Sequence, residues 1–249
     1  MSDDNALPLN PFVQASQVTI QTLDGTGIFD GLYTTPQGGR GQGIVLIQEI
    51  FGVNDFIRET AKMLASAGFT VLAPDLFWRL ERNVELDASN EADFAKALDL
   101  MGQFDIDQGI EDIKASVAHL RSLNECEGDV GCVGYCLGGR LAYLMATRSD
   151  VSASVGYYGV TIPDYMDEAA NIAKPLLLHV AEEDGFVSKD EQAALHAGLD
   201  GNDLVTIHDY AGRDHGFARV GGDAYDADDA NLANVRTVEF FQKYLRKYG

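Results

Sequence analysis

The chain has 249 residues and a mass of 27.0 kDa, enough to bury a large core, and its 46% hydrophobic and 23% charged residues are the balance expected of a globular protein. Acids outnumber bases 39 to 18, a formal charge of −21, so the surface repels nucleic acid and anionic membranes and neither is expected as a partner. The three cysteines, Cys126, Cys132 and Cys136, are too few and too clustered for a disulfide framework, and no Cys/His set has zinc spacing.

In chain order, Met1 to Ser16 carries acids at Asp3 and Asp4 and lacks the basic and apolar regions of a secretory signal. No apolar run approaches the roughly 20 residues of a membrane helix, so a cytoplasmic location is expected. Val18 to Leu23 and Ile28 to Thr35 read as a hairpin turning at Asp24-Gly25-Thr26-Gly27. Gln37 to Gly43 is a Gly-rich loop, and Ile44 to Ile47 is an apolar strand of the kind buried inside a parallel sheet. Asp55 is a candidate N-cap for a helix over Phe56 to Ala67, and Phe69 to Ala73 is the next strand. Leu76 to Gln103, with Trp78, Arg79 and Arg82, is less regular and reads as a partly helical excursion placed to cover a pocket.

A long helix follows over Asp105 to Leu123, with Ile106, Ile110, Ile113, Val117 and Leu120 on one face. Asp129 to Val133 is a strand and Arg140 to Ala146 begins a helix. Strands are expected at Ala153 to Tyr158, Pro175 to Ala181 and Leu204 to Tyr210, with helices at Glu191 to Leu199 and at about Ala227 to Tyr248. The alternation predicts one α/β domain over residues 1–249, with a mostly parallel eight-stranded sheet and helices on both faces.

Between the fifth strand and its helix stands Gly134-Tyr135-Cys136-Leu137-Gly138-Gly139. This G-x-nucleophile-x-G turn is the nucleophile elbow of the α/β-hydrolase fold, with Cys where Ser is usual. The elbow lifts the Cys136 sulfur above the sheet and next to the positive end of a helix, which favours the thiolate. An isolated Cys is more often inert core, so its partners decide. In such sheets functional groups lie on loops at the carboxyl ends of strands. Asp184 follows the seventh strand and His215 the eighth, the chain order these hydrolases use. His215 is expected to take the thiol proton and Asp184 to hold the imidazole in the right tautomer. His119, His179, His196 and His208 fall within helices or strands and read as surface or core histidines. Glu182 and Glu183 compete with Asp184, whose place before Gly185-Phe186-Val187 favours it, and Asp214 reads as a turn residue.

The oxyanion hole is expected from the backbone N–H groups of Leu137 and Ile50. Glu49 precedes Ile50 among apolar neighbours, so its carboxylate is expected to project toward the nucleophile and gate its ionisation.

With Gln48-Glu49-Ile50-Phe51-Gly52-Val53-Asn54, Pro74-Asp75-Leu76, the elbow, Gly156-Tyr157-Tyr158-Gly159 and His215-Gly216-Phe217-Ala218-Arg219 in order, the chain closely resembles the dienelactone hydrolase family. The resemblance implies carboxylic ester hydrolysis of the carboxymethylenebutenolidase type, dienelactone to maleylacetate, with Cys136, His215 and Asp184 as triad and no cofactor or metal. It implies that Glu49 holds the resting thiol until substrate displaces it, and that Arg219 binds the substrate carboxylate. The chain departs from the family at Gly216, where the family has serine, and at Phe94, where a second carboxylate-binding arginine is expected. Arg79 or Arg82 could substitute if the loop folds inward, and Trp78 and Tyr135 are the aromatic residues expected to touch substrate. A less anionic or bulkier lactone or ester is an alternative substrate. The remaining alternatives are a related cysteine hydrolase for another ester or thioester, and a non-catalytic binding or thiol-sensing relative. The only partner expected is a small-molecule lactone or ester, with the protein a monomer or small homo-oligomer.

Overall fold

The computed structural model describes Leu7, Asn10 and residues 13–247. Its centre is one eight-stranded sheet in the order β1-β2-β4-β3-β5-β6-β7-β8. The strands are β1 (Gln14–Gln21), β2 (Ile28–Thr35), β3 (Gly41–Ile47), β4 (Thr70–Pro74), β5 (Cys126–Tyr135), β6 (Ser154–Tyr157), β7 (Leu176–Ala181) and β8 (Val205–Tyr210). The β1–β2 and β2–β4 pairs are antiparallel and every later pair is parallel. The expected hairpin closes where Asp24 accepts hydrogen bonds from the Thr22 hydroxyl at 2.7 Å and the Thr26 amide at 3.0 Å.

The helices are α1 (Asp55–Ser66), α2 (Glu91–Gln103), α3 (Ile106–Ser122), α4 (Leu137–Arg148), α5 (Lys189–Leu199) and α6 (Ala227–Tyr244). The crossover through α1 steps from β3 to β4, whereas those through α3 and α4 step the opposite way across the sheet. Right-handed crossovers that reverse direction place their helices on opposite faces, so the sheet is covered on both sides. This is the α/β-hydrolase arrangement.

Several boundaries move. Strand β3 starts at Gly41 rather than Ile44, pairing Gly41 with Cys126 and Gly43 with Val130 of β5, and a Cβ at Gly43 would meet Cys126 Sγ at 2.9 Å and Val130 Cγ2 at 2.8 Å. Gly43 lets β3 and β5 approach closely and Gly41 lets the Gly68 backbone approach, although by composition both read as loop. Helix α1 is capped by Asn54, whose side chain accepts from the Ile57 amide at 3.3 Å, and Asp55 is its first helical residue. A 3-10 helix over Ile162–Asn171, absent from the sequence reading, precedes β7. Helix α6 ends at Tyr244, and Tyr248 lies outside the described residues. The core is continuous, and Ile44 to Ile47 and Val71 to Ala73 are wholly buried. Rows of strand residues with both neighbours paired leave little freedom at the carboxyl ends, where the next loops carry their side chains.

Candidate active site

The turn from β5 into α4 is tight enough that only glycine fits around it. A Cβ at Gly134 would stand 2.0 Å from the Gly138 carbonyl oxygen, and one at Gly138 would stand 2.5 Å from the carbonyl oxygens of both Ile47 and Gln48. Between them Cys136 takes φ 56° and ψ −115°, a conformation costly for a residue with a side chain, of order 1–3 kcal/mol. The surrounding hydrogen bonds hold it there: the Cys136 amide donates to the Tyr157 carbonyl at 3.0 Å, and the Cys136 carbonyl accepts from Gly139 and Arg140. The sulfur thus sits at the start of α4, 8% exposed.

His215, 9% exposed, comes from the loop after β8, and Asp184, equally buried, from the loop after β7. The His215 Nδ1 lies 2.9 Å from one Asp184 carboxylate oxygen and 3.0 Å from the other. The carboxylate is itself fixed by the Phe186 amide, which donates to it at 2.8 Å. With Nδ1 so occupied, Nε2 is the ring nitrogen left for the sulfur, and the Cys136 and His215 side chains are within hydrogen-bonding reach. Burial opposes protonation of the ring, but the charge of the Cys136 sulfur and the Asp184 contact outweigh it and push His215 up to about 10. Asp214 accepts from the amides of Gly185 and His215, which ties the two loops together as a turn residue would. Glu182 and Glu183 make their contacts with Gly212 and Lys189 instead.

Glu49 is 1% exposed and pairs with Arg219, whose Nη1 lies 3.0 Å from its carboxylate. Burial works against the Arg219 charge, and Glu49 more than restores it. The other Glu49 oxygen has no hydrogen-bond partner, nor has the buried hydroxyl of Tyr158. Burial and the Glu49 charge hold that phenol well above the usual tyrosine range. The Tyr158 ring packs edge-on against His215, with centroids 4.9 Å apart. Sequence reading passed over Tyr158 as part of a motif, although its place at the end of β6, beside the elbow, was the available signal. The close approach at Gly138 sets the first turn of α4 against the end of β3 and Gln48, two residues before Ile50. The Leu137 amide, first in α4, belongs to the N-terminal donors that have no acceptor within their own helix.

A cavity of about 660 Å³ opens onto His215 and Arg219. Phe94 lines it and packs against Phe51, with ring centroids 5.9 Å apart, so the excursion over residues 76–103 does cover a pocket. Four candidate contacts lie elsewhere. Arg79 is drawn to Asp112 on α3, with Nη2 2.8 Å from one carboxylate oxygen, and its guanidinium lies over the Trp78 ring. The Trp78 indole N–H donates to the same carboxylate at 2.8 Å and its ring stacks on Phe29. Arg82 donates to the Ile28 carbonyl at 2.7 Å. Tyr135 is buried among Phe56, Tyr157 and Tyr158, and none of Arg79, Trp78, Arg82 and Tyr135 lines the cavity. The second cation for which Arg79 or Arg82 was a candidate is therefore not supplied to this cavity by either. Gly216, at the family's serine position, takes φ 80° beside the Arg219 guanidinium.

Comparison with known proteins agrees with this architecture. The sequence model of the dienelactone hydrolase family matches residues 29–245. The carboxymethylenebutenolidase of Pseudomonas putida is 36% identical over 223 residues, covering 90% of this chain and 94% of its own. That of Pseudomonas sp. strain P51 is 36% identical over 220 residues, covering 88% and 92%. Among solved structures, m3DLH superimposes with a TM-score of 0.79 at 22% identity, covering 94% of this chain and all of that one. A dienelactone hydrolase-like promiscuous phosphotriesterase from metagenomic libraries gives a TM-score of 0.75 at 22% identity, covering 93% and 99%. By the span of the family match and the identity to curated relatives, the chain belongs to the dienelactone hydrolase family of carboxylic ester hydrolases.

Proposed function

We propose that the protein hydrolyses a lactone or enol ester, of the type the butenolidase relatives act on, through an acyl-enzyme on Cys136. The observation that carries this reading is the line Asp184–His215–Cys136, in which a buried carboxylate fixes Nδ1 and the sulfur lies within reach of the same ring. In the first half-reaction the Cys136 thiol passes its proton to His215 Nε2 and its sulfur attacks the carbonyl carbon. The resulting oxyanion is met by the amides of Leu137 and Ile50. Collapse breaks the bond to the ring or leaving oxygen, which takes the proton back from His215. In the second half-reaction His215 deprotonates a water that attacks the thioester, and the carboxylate product leaves as the thiol is reprotonated.

Glu49 has a natural place in this scheme. A carboxylate beside the sulfur disfavours a second negative charge, and its removal to a cation relieves that cost. The Glu49–Arg219 ion pair is the arrangement expected once the carboxylate has left the thiol. The resemblance implies a resting state in which Glu49 contacts Cys136, and the pair with Arg219 supplies the alternative site it needs.

The test is turnover of dienelactones and of chromogenic aryl esters with stopped-flow detection. A burst of product equal to the enzyme concentration, lost in Cys136→Ala, is the expected result. Steady turnover that survives Cys136→Ala contradicts the reading.

A further inference from the structure

Helix α4 carries a cation where its own dipole disfavours one. Arg140 is its fourth residue, and positive charge close to a helix N-terminus opposes the macrodipole. The side chain is only 9% exposed, and burial draws the guanidinium below the ordinary arginine range, with the charges of Tyr165, Cys136 and Asp164 opposing that pull. Its contacts are sparse. Nη1 donates to the Thr161 hydroxyl at 2.7 Å, and the buried Nε–H has no partner. Thr161 itself takes φ 54° and ψ 23°, a left-handed backbone that a β-branched residue adopts at a cost. Among the described arginines, Arg82, Arg140 and Arg236 have no carboxylate within ion-pair distance, and Arg140 is the buried one of the three.

We infer that Arg140 is a positioning residue for the reaction, whose unmatched charge, one helical turn from the nucleophile, favours the ionised sulfur of Cys136. The inference rests on the cysteine-nucleophile reading above and adds a residue to it. The backbone ties the two together, since the Arg140 amide donates to the Cys136 carbonyl at 3.2 Å. Side chains on a helix lean toward its N-terminus, which here is Cys136. Other groups reach the sulfur electrostatically: His215 and Arg219 from beyond β8, and the neutral phenol of Tyr158 from the end of β6. Asp184 matches the charge of His215, and Glu49 matches that of Arg219. On the far side of Arg140, Asp164 and Tyr165 of the 3-10 helix face it without closing an ion pair. Arg140 is therefore the cation at this site whose charge is left for an anion that forms only when the thiol proton moves to His215. A buried charge without a counter-ion is costly, and the thiolate supplies one. The α4 dipole acts on the sulfur with the same sign.

The experiment follows alkylation of Cys136 by iodoacetamide against pH, with the adduct located by fragment mass spectrometry, in the unaltered protein and in Arg140→Gln, Arg140→Met and Arg140→Lys. Cys132 does not compete, being wholly buried with its thiol pushed up to about 12. The Gln variant keeps a donor for Thr161 and loses the charge, the Met variant loses both, and the Lys variant keeps the charge. We expect the midpoint of the profile to rise by about one pH unit in the two neutral variants and to stay within about 0.3 unit in Arg140→Lys. On the acid limb, kcat/KM for an aryl ester should fall about tenfold in the neutral variants, with the limb displaced by the same amount as the alkylation midpoint. Urea titration identifies the folded variants, and one folded neutral variant decides the question. A midpoint that stays put while activity falls shows a structural role and overturns the inference, as does an Arg140→Lys midpoint displaced as far as that of Arg140→Gln. Alkylation needs no ester, so the two readings fail separately. A displaced midpoint with no Cys136-dependent burst removes the hydrolase reading, and a burst with an undisplaced midpoint removes the role of Arg140.

Discussion

His179 and His215 sit in neighbouring parts of the fold, one on β7 and one just beyond β8, and both are buried, yet their proton affinities diverge. His215 has a carboxylate on Nδ1 and the Cys136 sulfur nearby, and it is pushed up to about 10. His179, 1% exposed, has the Tyr210 hydroxyl at 2.8 Å on Nδ1 and the Thr237 hydroxyl at 3.0 Å on Nε2. Burial, then the nearby His208 and Arg236, lower its pKa well below the ordinary histidine value. Tyr157 closes that neutral network by bonding to Thr237 and Asn234. Depth alone therefore does not make a base. A buried imidazole works at neutral pH when a charge of the opposite sign is built against it, and otherwise it is a structural hydrogen-bonding unit.

The comparison breaks first at the triad. Cys136→Ala should reduce kcat by a factor on the order of 10⁶, measured with an aryl ester. Asp184→Asn leaves the ring in place but removes the charge that favours the imidazolium, and should cost about 10⁴ in kcat. A loss below about tenfold in Asp184→Asn would mean that another carboxylate orients His215. On the other side, His179→Gln should change kcat/KM by less than about threefold, while lost hydrogen bonds to Tyr210 and Thr237 lower the unfolding free energy by about 2 kcal/mol in urea titrations.

The two histidines should also mark stability against pH with opposite sign. His215 binds its proton more tightly folded than unfolded, so its contribution is fully present below about pH 6.5 and is lost as pH rises through about 10. His179 does the reverse: its contribution is present above about pH 6.5 and is lost as pH falls below it, because the unfolded chain then takes a proton that the fold refuses. Urea midpoints at pH 5 and pH 7.5 should therefore fall together more shallowly in His179→Gln than in the unaltered protein. An unchanged slope would show that other groups carry the acid sensitivity.

Much of this was legible in the amino-acid order, and the exceptions share a cause. The elbow, the Asp184 loop and the His215 loop announce themselves because local signals, glycines and strand ends, coincide with residue types suited to nucleophilic chemistry. Cys136, Asp184 and His215 stand out as candidates from chain order, and the parallel sheet brings the Asp184 and His215 loops together, with Nδ1 2.9 Å from the carboxylate. Arg79 could not be placed, because its direction is decided by Asp112, 33 residues away on another element. Trp78 follows the same carboxylate. The 3-10 helix over Ile162–Asn171 lacks the 3.6-residue period that betrays a longer helix. The start of β3 is hidden because Gly41 and Gly43 suggest loop by composition, whereas Gly43 admits close contact with β5 and Gly41 with the Gly68 backbone.

The most direct measurement is rapid-quench mass spectrometry of the protein mixed with a slowly deacylating aryl ester. The account predicts an acyl group on the peptide that contains Cys136, formed at the rate of the burst and absent in Cys136→Ala. An adduct on another residue, or turnover with no adduct at all, contradicts it.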